Sequence, residues 1–419
     1  MTISSTRLDN GLTILSHAMP HLETASLGIW IRAGARNEAR QVNGIAHLAE
    51  HMAVKGTTTR TARRIAEQIE AAGGEMNAAT GMETTAYYAR VLKPDIALGV
   101  DILSDILINP RFEKAELERE CEVVLQEIAA ARDTPDDVAF DLMHEAAFPG
   151  QPLGRPILGH ADIVSAFTPD HIAAWRAQQY SPDRMVFAAA GAIDHERFAE
   201  QVARAFRDRK PFTVAGWPVA RFEGGPGHEC KPLGQAHIVM GFEAPGYCSE
   251  DIYALRVLSG LLGGGMSSRL FQEVREKCGL CYTISSFVST FHDLGLLCVY
   301  AATGAKRVDK LIAVIAHELL AVTAKVGEEE VARAKAQLKA AFVACLESSS
   351  ARAGQMAHQQ LAFGKVLPVA ELIGKVEAVD AEAVRGLGER MLRGRKLAFS
   401  AVGALDHLPA YDTIARRFM

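Results

Sequence analysis

Phe187-Ala188-Ala189-Ala190-Gly191-Ala192-Ile193-Asp194-His195 recurs 212 residues later as Phe399-Ser400-Ala401-Val402-Gly403-Ala404-Leu405-Asp406-His407, with six of nine positions identical. Each copy is an apolar run closing on a glycine, and each is followed by a helical pattern. Ser26-Leu27-Gly28-Ile29-Trp30-Ile31 likewise echoes Ile238-Val239-Met240-Gly241-Phe242, an apolar strand that opens each half. After each opening strand come two helical patterns, a pair of β-rich segments and two more helices. A repeat this long is a duplicated domain, because solenoid periods run only to roughly 50 residues. Strands come in runs and helices in runs. That order predicts an α+β architecture of two homologous tandem domains, each a largely antiparallel sheet with helices packed on one face. The Pro/Gly-rich stretch 210–234, containing Gly224-Gly225-Pro226-Gly227, reads as a linker between a domain at 1–209 and a domain at 235–419.

Size and composition fit this division. A chain of 419 residues is too long for one ordinary core. Hydrophobic content of 49% and charged content of 23% are those of a globular protein. A net charge of -5 argues against nucleic-acid binding. No run reaches the roughly 18 apolar residues of a membrane span. The first residues, Met1 to Gly11, lack the apolar core of a signal peptide and the arginines of a transit sequence. They read as a strand, a turn at Asp9-Asn10-Gly11 and a second strand from Leu12 to Leu15. The expected compartment is the cytoplasm of a bacterium. Seven scattered cysteines fit a reducing compartment. Cys278-Gly279-Leu280-Cys281 has no second CxxC to complete a zinc site, so it reads as structural.

The chemistry sits in His47-Leu48-Ala49-Glu50-His51. Four residues on a helix turn through about 400°, which places the two imidazoles on one face, one turn apart. Glu50 flanks that face without being forced into it. Asn43-Gly44 offers a helix start. This is the inverted order of the zinc-protease pentapeptide. A catalytic zinc takes three protein ligands and keeps a fourth position open. Glu127, 76 residues after His51, offers the third, in a helical segment whose Leu117, Val124 and Ile128 share a side. Glu120 lies one heptad earlier on the same face as Glu127. Glu116, Glu118 and Glu122 point elsewhere and read as surface. The equivalent helices of the second copy, near Ala254–Leu262 and Ala334–Lys339, carry no such ligands. One half can therefore hold a metal and the other cannot.

These residues carry a resemblance. The chain is similar to the M16 metallopeptidases, the pitrilysin and insulin-degrading enzyme family, in its processing-peptidase-like two-domain branch. The likeness runs through 44–57 around the pentapeptide, through Gly74-Glu75-Met76-Asn77-Ala78-Ala79-Thr80, Leu153-Gly154-Arg155-Pro156-Ile157-Leu158-Gly159 and Leu262-Gly263-Gly264-Gly265-Met266-Ser267-Ser268-Arg269-Leu270. It implies the LuxS/MPP-like metallohydrolase fold and a zinc endopeptidase with one Zn2+ per chain, held by His47, His51 and Glu127. Glu50 would be the general base, taking a proton from the attacking water and returning it to the leaving amine. The resemblance also marks Glu120, with a supporting role at a histidine ligand. It implies that Asn77 and Ala78 lie on an exposed edge strand that pairs with the substrate backbone. Arg275 and Tyr282 match a pair that in the family contacts substrate and helps stabilise the tetrahedral intermediate. The short Gly263-Gly264-Gly265 loop is followed by no phosphate-binding GK[ST].

Large members of the family carry four such domains, and this chain carries two. The resemblance therefore implies pairing with a second two-domain chain around a chamber that admits unfolded peptides. A homodimer is self-sufficient, since the chain carries both ligands and the Arg/Tyr pair. A heterodimer with a non-zinc chain is the other arrangement. The rival reading is a non-catalytic structural or substrate-binding subunit of a processing-peptidase or core-protein complex. Such subunits can lose ligands or base, and here all four are present.

Overall fold

A computed structural model describes residues 3–419 and divides into two compact units. Unit 1 comprises residues up to Ala129, Pro156–Pro218 and Ala344–Val366. Unit 2 comprises Ala130–Arg155, Val219–Val343 and Leu367–Met419.

Unit 1 is built on a six-stranded sheet of β1 (Ile3–Arg7), β2 (Thr13–Ala18), β3 (Thr24–Ile31), β4 (Glu75–Thr80), β5 (Thr85–Leu92) and β6 (Met185–Gly191), in the order β1-β2-β6-β3-β5-β4. Only β2 and β6 pair in parallel; the other neighbours are antiparallel. The opening strand–turn–strand is present as β1 and β2, with Met1 and Thr2 outside the described residues. The helices of the first half are α1 (Ile45–Ala53), α2 (Ala62–Ala71), α3 (Ile96–Ile108), α4 (Lys114–Asp133), α5 (Pro135–Ala147), α6 (Ala161–Val164), α7 (Pro169–Gln179) and α8 (His195–Phe206). Ile14, Leu27, Ile29, Tyr87 and Phe187 pack with Ile102, Leu103 and Ile106 of α3 and with Phe198, Val202 and Phe206 of α8.

Unit 2 repeats the plan. Its strands β7 (Gly225–Cys230), β8 (Ala236–Ala244), β9 (Thr283–Thr290), β10 (Gly295–Thr303) and β11 (Ala398–Gly403) run β7-β11-β8-β10-β9, with β7 and β11 parallel and the rest antiparallel. This is the order β2-β6-β3-β5-β4 of unit 1, so the two recurring nonapeptides begin in equivalent strands, β6 and β11. Both strands end on a glycine in the left-handed region, Gly191 at φ +122° and Gly403 at φ +119°. A Cβ there would stand 2.3 Å from the Thr24 carbonyl and 2.2 Å from that of Gln235. The recurring glycines thus mark one backbone geometry, used twice. The remaining helices are α9 (Ile252–Gly263), α10 (Val308–Ala324), α11 (Glu328–Ala344), α12 (Ser349–Phe363), α13 (Val369–Glu377), α14 (Ala381–Leu392) and α15 (Tyr411–Ala415).

The architecture is α+β with antiparallel-rich sheets; α3 and α8 cover one face of the first sheet, and α9, α10 and α14 cover one face of the second. The other face of each sheet takes a helix from the opposite half of the sequence. Ala353, Met356 and Ala357 of α12 pack on Leu15, Trp30, Val186 and Ala188 of the first sheet. Within unit 2, Ser400 Oγ of β11 donates to the Ala139 carbonyl of α5 (2.6 Å). The compact units therefore do not follow the boundaries 1–209 and 235–419: 130–155 and 344–366 change places. The physical reason is the outer face of the strands. It carries small residues such as Ala188, Ala190, Gly241 and Ser400, which let a helix lie close. Gly225–Cys230, read as linker, is strand β7. Its proline is tolerated because β7 lies at the edge of its sheet.

Candidate metal centre

Glu38 sets the start of α1. Gly44, its N-cap, has φ +95° and no side chain with which to cap the helix. The carboxylate of Glu38 accepts from the N–H groups of Gly44 (2.9 Å) and Ala46 (2.8 Å) and from Asn43 Nδ2 (2.8 Å). A buried negative charge against the first turn satisfies orphan donors and suits the helix dipole. Sequence reading missed this cap, since Glu38 has no position in the Asn43-Gly44 signature.

The apolar face of α1 fixes the polar one. Ile45, Leu48, Ala49 and Met52 are buried against Leu117, Cys121 and Val124 of α4 and Ile172 and Trp175 of α7. His47, Glu50 and His51 are left half-buried beside α4. Nε2 of His47 and Nε2 of His51 each lie 3.7 Å from Oε2 of Glu127. The imidazoles meet edge to face with centroids 4.6 Å apart. One donor atom from each of His47, His51 and Glu127 lies within 4.8 Å of the other two.

This donor set fits a zinc ion. Bonds of about 2.0–2.1 Å put tetrahedral donors roughly 3.3 Å apart, close to the 3.7 Å that separates each imidazole nitrogen from Glu127. Burial, and then the neighbouring His51, pushes His47 down to about 4, so its imidazole is neutral at physiological pH, as a ligand must be. Its Nδ1 is buried and finds no hydrogen-bond partner among the described residues.

Glu50 stands beside these donors without joining them. Thr80 Oγ1, at the end of β4, donates to its Oε2 at 2.6 Å. Burial raises the proton affinity of Glu50; the Thr80 bond and His51 oppose that, and Glu127 adds to it. Glu120 is buried, 5% exposed, with Oε2 3.1 Å from His51 Nδ1 and Oε1 2.7 Å from Lys55 Nζ. Glu118 and Glu122 are exposed and Glu116 is half-buried. Lys55 and Thr80 lie inside the family-like stretches, yet nothing in their spacing announced these contacts.

Asn77 and Ala78 lie on β4, the edge strand of the first sheet. The Ala78 N–H donates to Asn77 Oδ1 (2.8 Å). Arg275 and Tyr282 belong to unit 2, where the structure brings them together. The Arg275 guanidinium lies over the rings of Tyr282 (4.8 Å) and Phe271 (4.6 Å). Phe271 and Arg275 share a π-helix, Phe271–Lys277, a rare winding that is frequent at functional sites. Tyr282 is 77% exposed. Burial raises the Cys281 thiol to about 11, against the pull of Arg275, which is not the thiolate of a redox motif. No helix among the described residues is long and apolar enough to cross a membrane.

Two family models match the chain: insulinase (peptidase family M16) over residues 13–161 and the peptidase M16 inactive domain over residues 166–338. The first contains His47, Glu50, His51, Glu120 and Glu127, and the second contains Arg275 and Tyr282. An uncharacterized zinc protease of Rickettsia felis is 37% identical over 379 residues, 90% of this chain and 92% of that protein. One of Bacillus subtilis is 35% identical over 404 residues, 96% of this chain and 98% of that protein. Among solved structures, a protease from Helicobacter pylori superposes with a TM-score of 0.88 at 20% identity, covering 96% of this chain and 99% of the other. A chain of complex III2 from Candida albicans gives 0.85 at 22% identity, covering 99% of each. These two structures show that the fold is shared.

Proposed function

Because this chain belongs to peptidase family M16, we propose that it is a zinc-dependent endopeptidase that hydrolyses unfolded peptides or leader- and presequence-like segments inside a chamber formed by dimerisation. The observation that carries this reading is the convergence of His47, His51 and Glu127, with Glu50 alongside them and free of them.

His47, His51 and Glu127 would hold the zinc. When bound, zinc polarises a carbonyl and makes water a better acid. Glu50 takes the proton of the attacking water and passes it to the amine that leaves. Thr80 occupies Oε2 of Glu50, so Oε1 is the oxygen left for that proton. A peptide added to β4 would present its backbone beside the strand that ends in Thr80, and main-chain pairing tolerates many sequences. Asn77 and Ala78 are the contacts on that edge. The stacked Arg275 guanidinium and the exposed Tyr282 hydroxyl are donors suited to a developing oxyanion. In a homodimer they serve the site of the other copy.

The test is cleavage of a quenched fluorescent peptide by the purified chain, with chelator, with zinc restored, and in Glu50→Gln. The expected result is cleavage that chelator abolishes and zinc restores. Glu50→Gln should retain zinc and lose turnover by about 10²-fold or more. Full activity in Glu50→Gln, or cleavage indifferent to chelator, would sink the reading. A zinc-loaded chain that cleaves nothing would point to a missing partner chain.

A further inference from the structure

Glu120 is gripped from two sides. Oε2 meets Nδ1 of His51 and Oε1 meets Nζ of Lys55. An ionised carboxylate has no proton to give, so the proton of the first contact belongs to His51 Nδ1. That fixes the tautomer and turns the lone pair of Nε2 toward Glu127. The orientation of the ring then depends on where Glu120 holds Oε2, and a glutamate side chain alone has three torsions with which to wander. Lys55 removes that freedom by taking the other oxygen. It also supplies the cation that a carboxylate this buried requires.

The backbone of Lys55 is itself anchored. Its N–H donates to the Met52 carbonyl (3.3 Å) at the end of α1. Two residues on, the Thr57 N–H donates to the Arg60 carbonyl (2.7 Å), and Thr57 Oγ1 donates to Asp105 Oδ2 (2.7 Å). The ammonium therefore reaches Glu120 from a fixed point.

Resting on the zinc-peptidase reading above, we propose that Lys55 is a positioning residue of the metal centre: through Glu120 it orients His51, so that zinc affinity depends on a side chain that never touches the metal. Outer partners of metal-binding histidines are typically worth about 10–100-fold in metal affinity.

The experiment is zinc competition against a chromophoric chelator on the full chain, in wild type, Lys55→Met, Lys55→Arg, Glu120→Gln and the double variant Lys55→Met/Glu120→Gln. Melting of the zinc-free proteins identifies any variant that loses zinc by unfolding. Lys55→Met is expected to weaken zinc about 10–100-fold, with Lys55→Arg recovering most of the loss. In the Glu120→Gln background, Lys55→Met should add no more than about twofold, because Lys55 acts through that carboxylate. Wild-type affinity in Lys55→Met overturns the proposal, as does a Lys55→Met loss undiminished when Glu120 is already Gln. If Lys55→Met unfolds, Lys55→Gln is read against the same two outcomes. A wild-type chain that binds no zinc would instead sink the peptidase reading.

Discussion

Asp105 shows how a single side chain holds the segment that follows α1. It is 6% exposed, and its carboxylate accepts from Thr57 Oγ1 (2.7 Å), Thr59 Oγ1 (2.6 Å), Arg60 Nη1 (2.7 Å) and Asn109 Nδ2 (2.9 Å). These bonds tie the segment after α1, the one that carries Lys55, to helix α3. Burial pushes Asp105 toward protonation. The bonds from Thr59, Asn109, Thr57 and Arg60 outweigh it and leave the proton affinity below the ordinary value. A carboxyl depressed in the folded state gives stability that is fully present above its unfolded pKa. That stability is lost as pH falls through the folded one. Asp105→Asn should therefore cost about 2–3 kcal/mol at neutral pH in urea unfolding. The gap to wild type should narrow below about pH 4. A gap of constant size down to pH 2 would mean that the carboxylate charge is not what holds the segment.

At the scale of the element, β4 is an edge strand beside Glu50. Its residues alternate exposed and half-buried, and Thr80 at its end bonds Glu50. If a substrate adds as a further strand, its backbone amides carry the binding. N-methylating a peptide at one pairing position should then raise KM about five- to tenfold, the worth of one hydrogen bond. Changing the side chain at the same position should matter less. Steady-state kinetics on such a peptide series decides it, and indifference to N-methylation would remove β4 as the substrate strand. In the second sheet β9 occupies the equivalent edge, but α9, the counterpart of α1, carries only Ile, Tyr, Ala, Leu, Arg, Val, Ser and Gly. The duplicated element has kept its place and has none of the metal donors.

For the whole molecule, one unit carries the candidate ligands and the other the Arg275–Tyr282 pair. Two copies around a closed chamber would limit substrates by size rather than by sequence. A tightly folded protein should then resist cleavage while its unfolded fragments are cut, and sedimentation should give twice the chain mass. Equal rates on folded and unfolded forms of one substrate would exclude the chamber.

The sequence by itself determined what depends on spacing along the chain. A spacing of four between histidines, a spacing of seven between glutamates and a recurring apolar strand can all be read along the chain. They were enough to place α1 and α4, to identify β6 with β11 and to single out His47, Glu50, His51 and Glu127 as candidates. Only the tertiary structure decided what depends on distant parts of the chain meeting. Glu38 caps α1 because the intervening 3-10 turn folds it back, and Lys55 reaches Glu120 across 65 residues of sequence. Phe271 joins Arg275 through a π-helix that no apolar period announces. The helices α5 and α12 sit in the unit of the opposite half because strand faces lined by small residues accept whichever apolar helix lies close enough to bury them. Burial has no direction along the chain, and so a reading along the chain cannot see it.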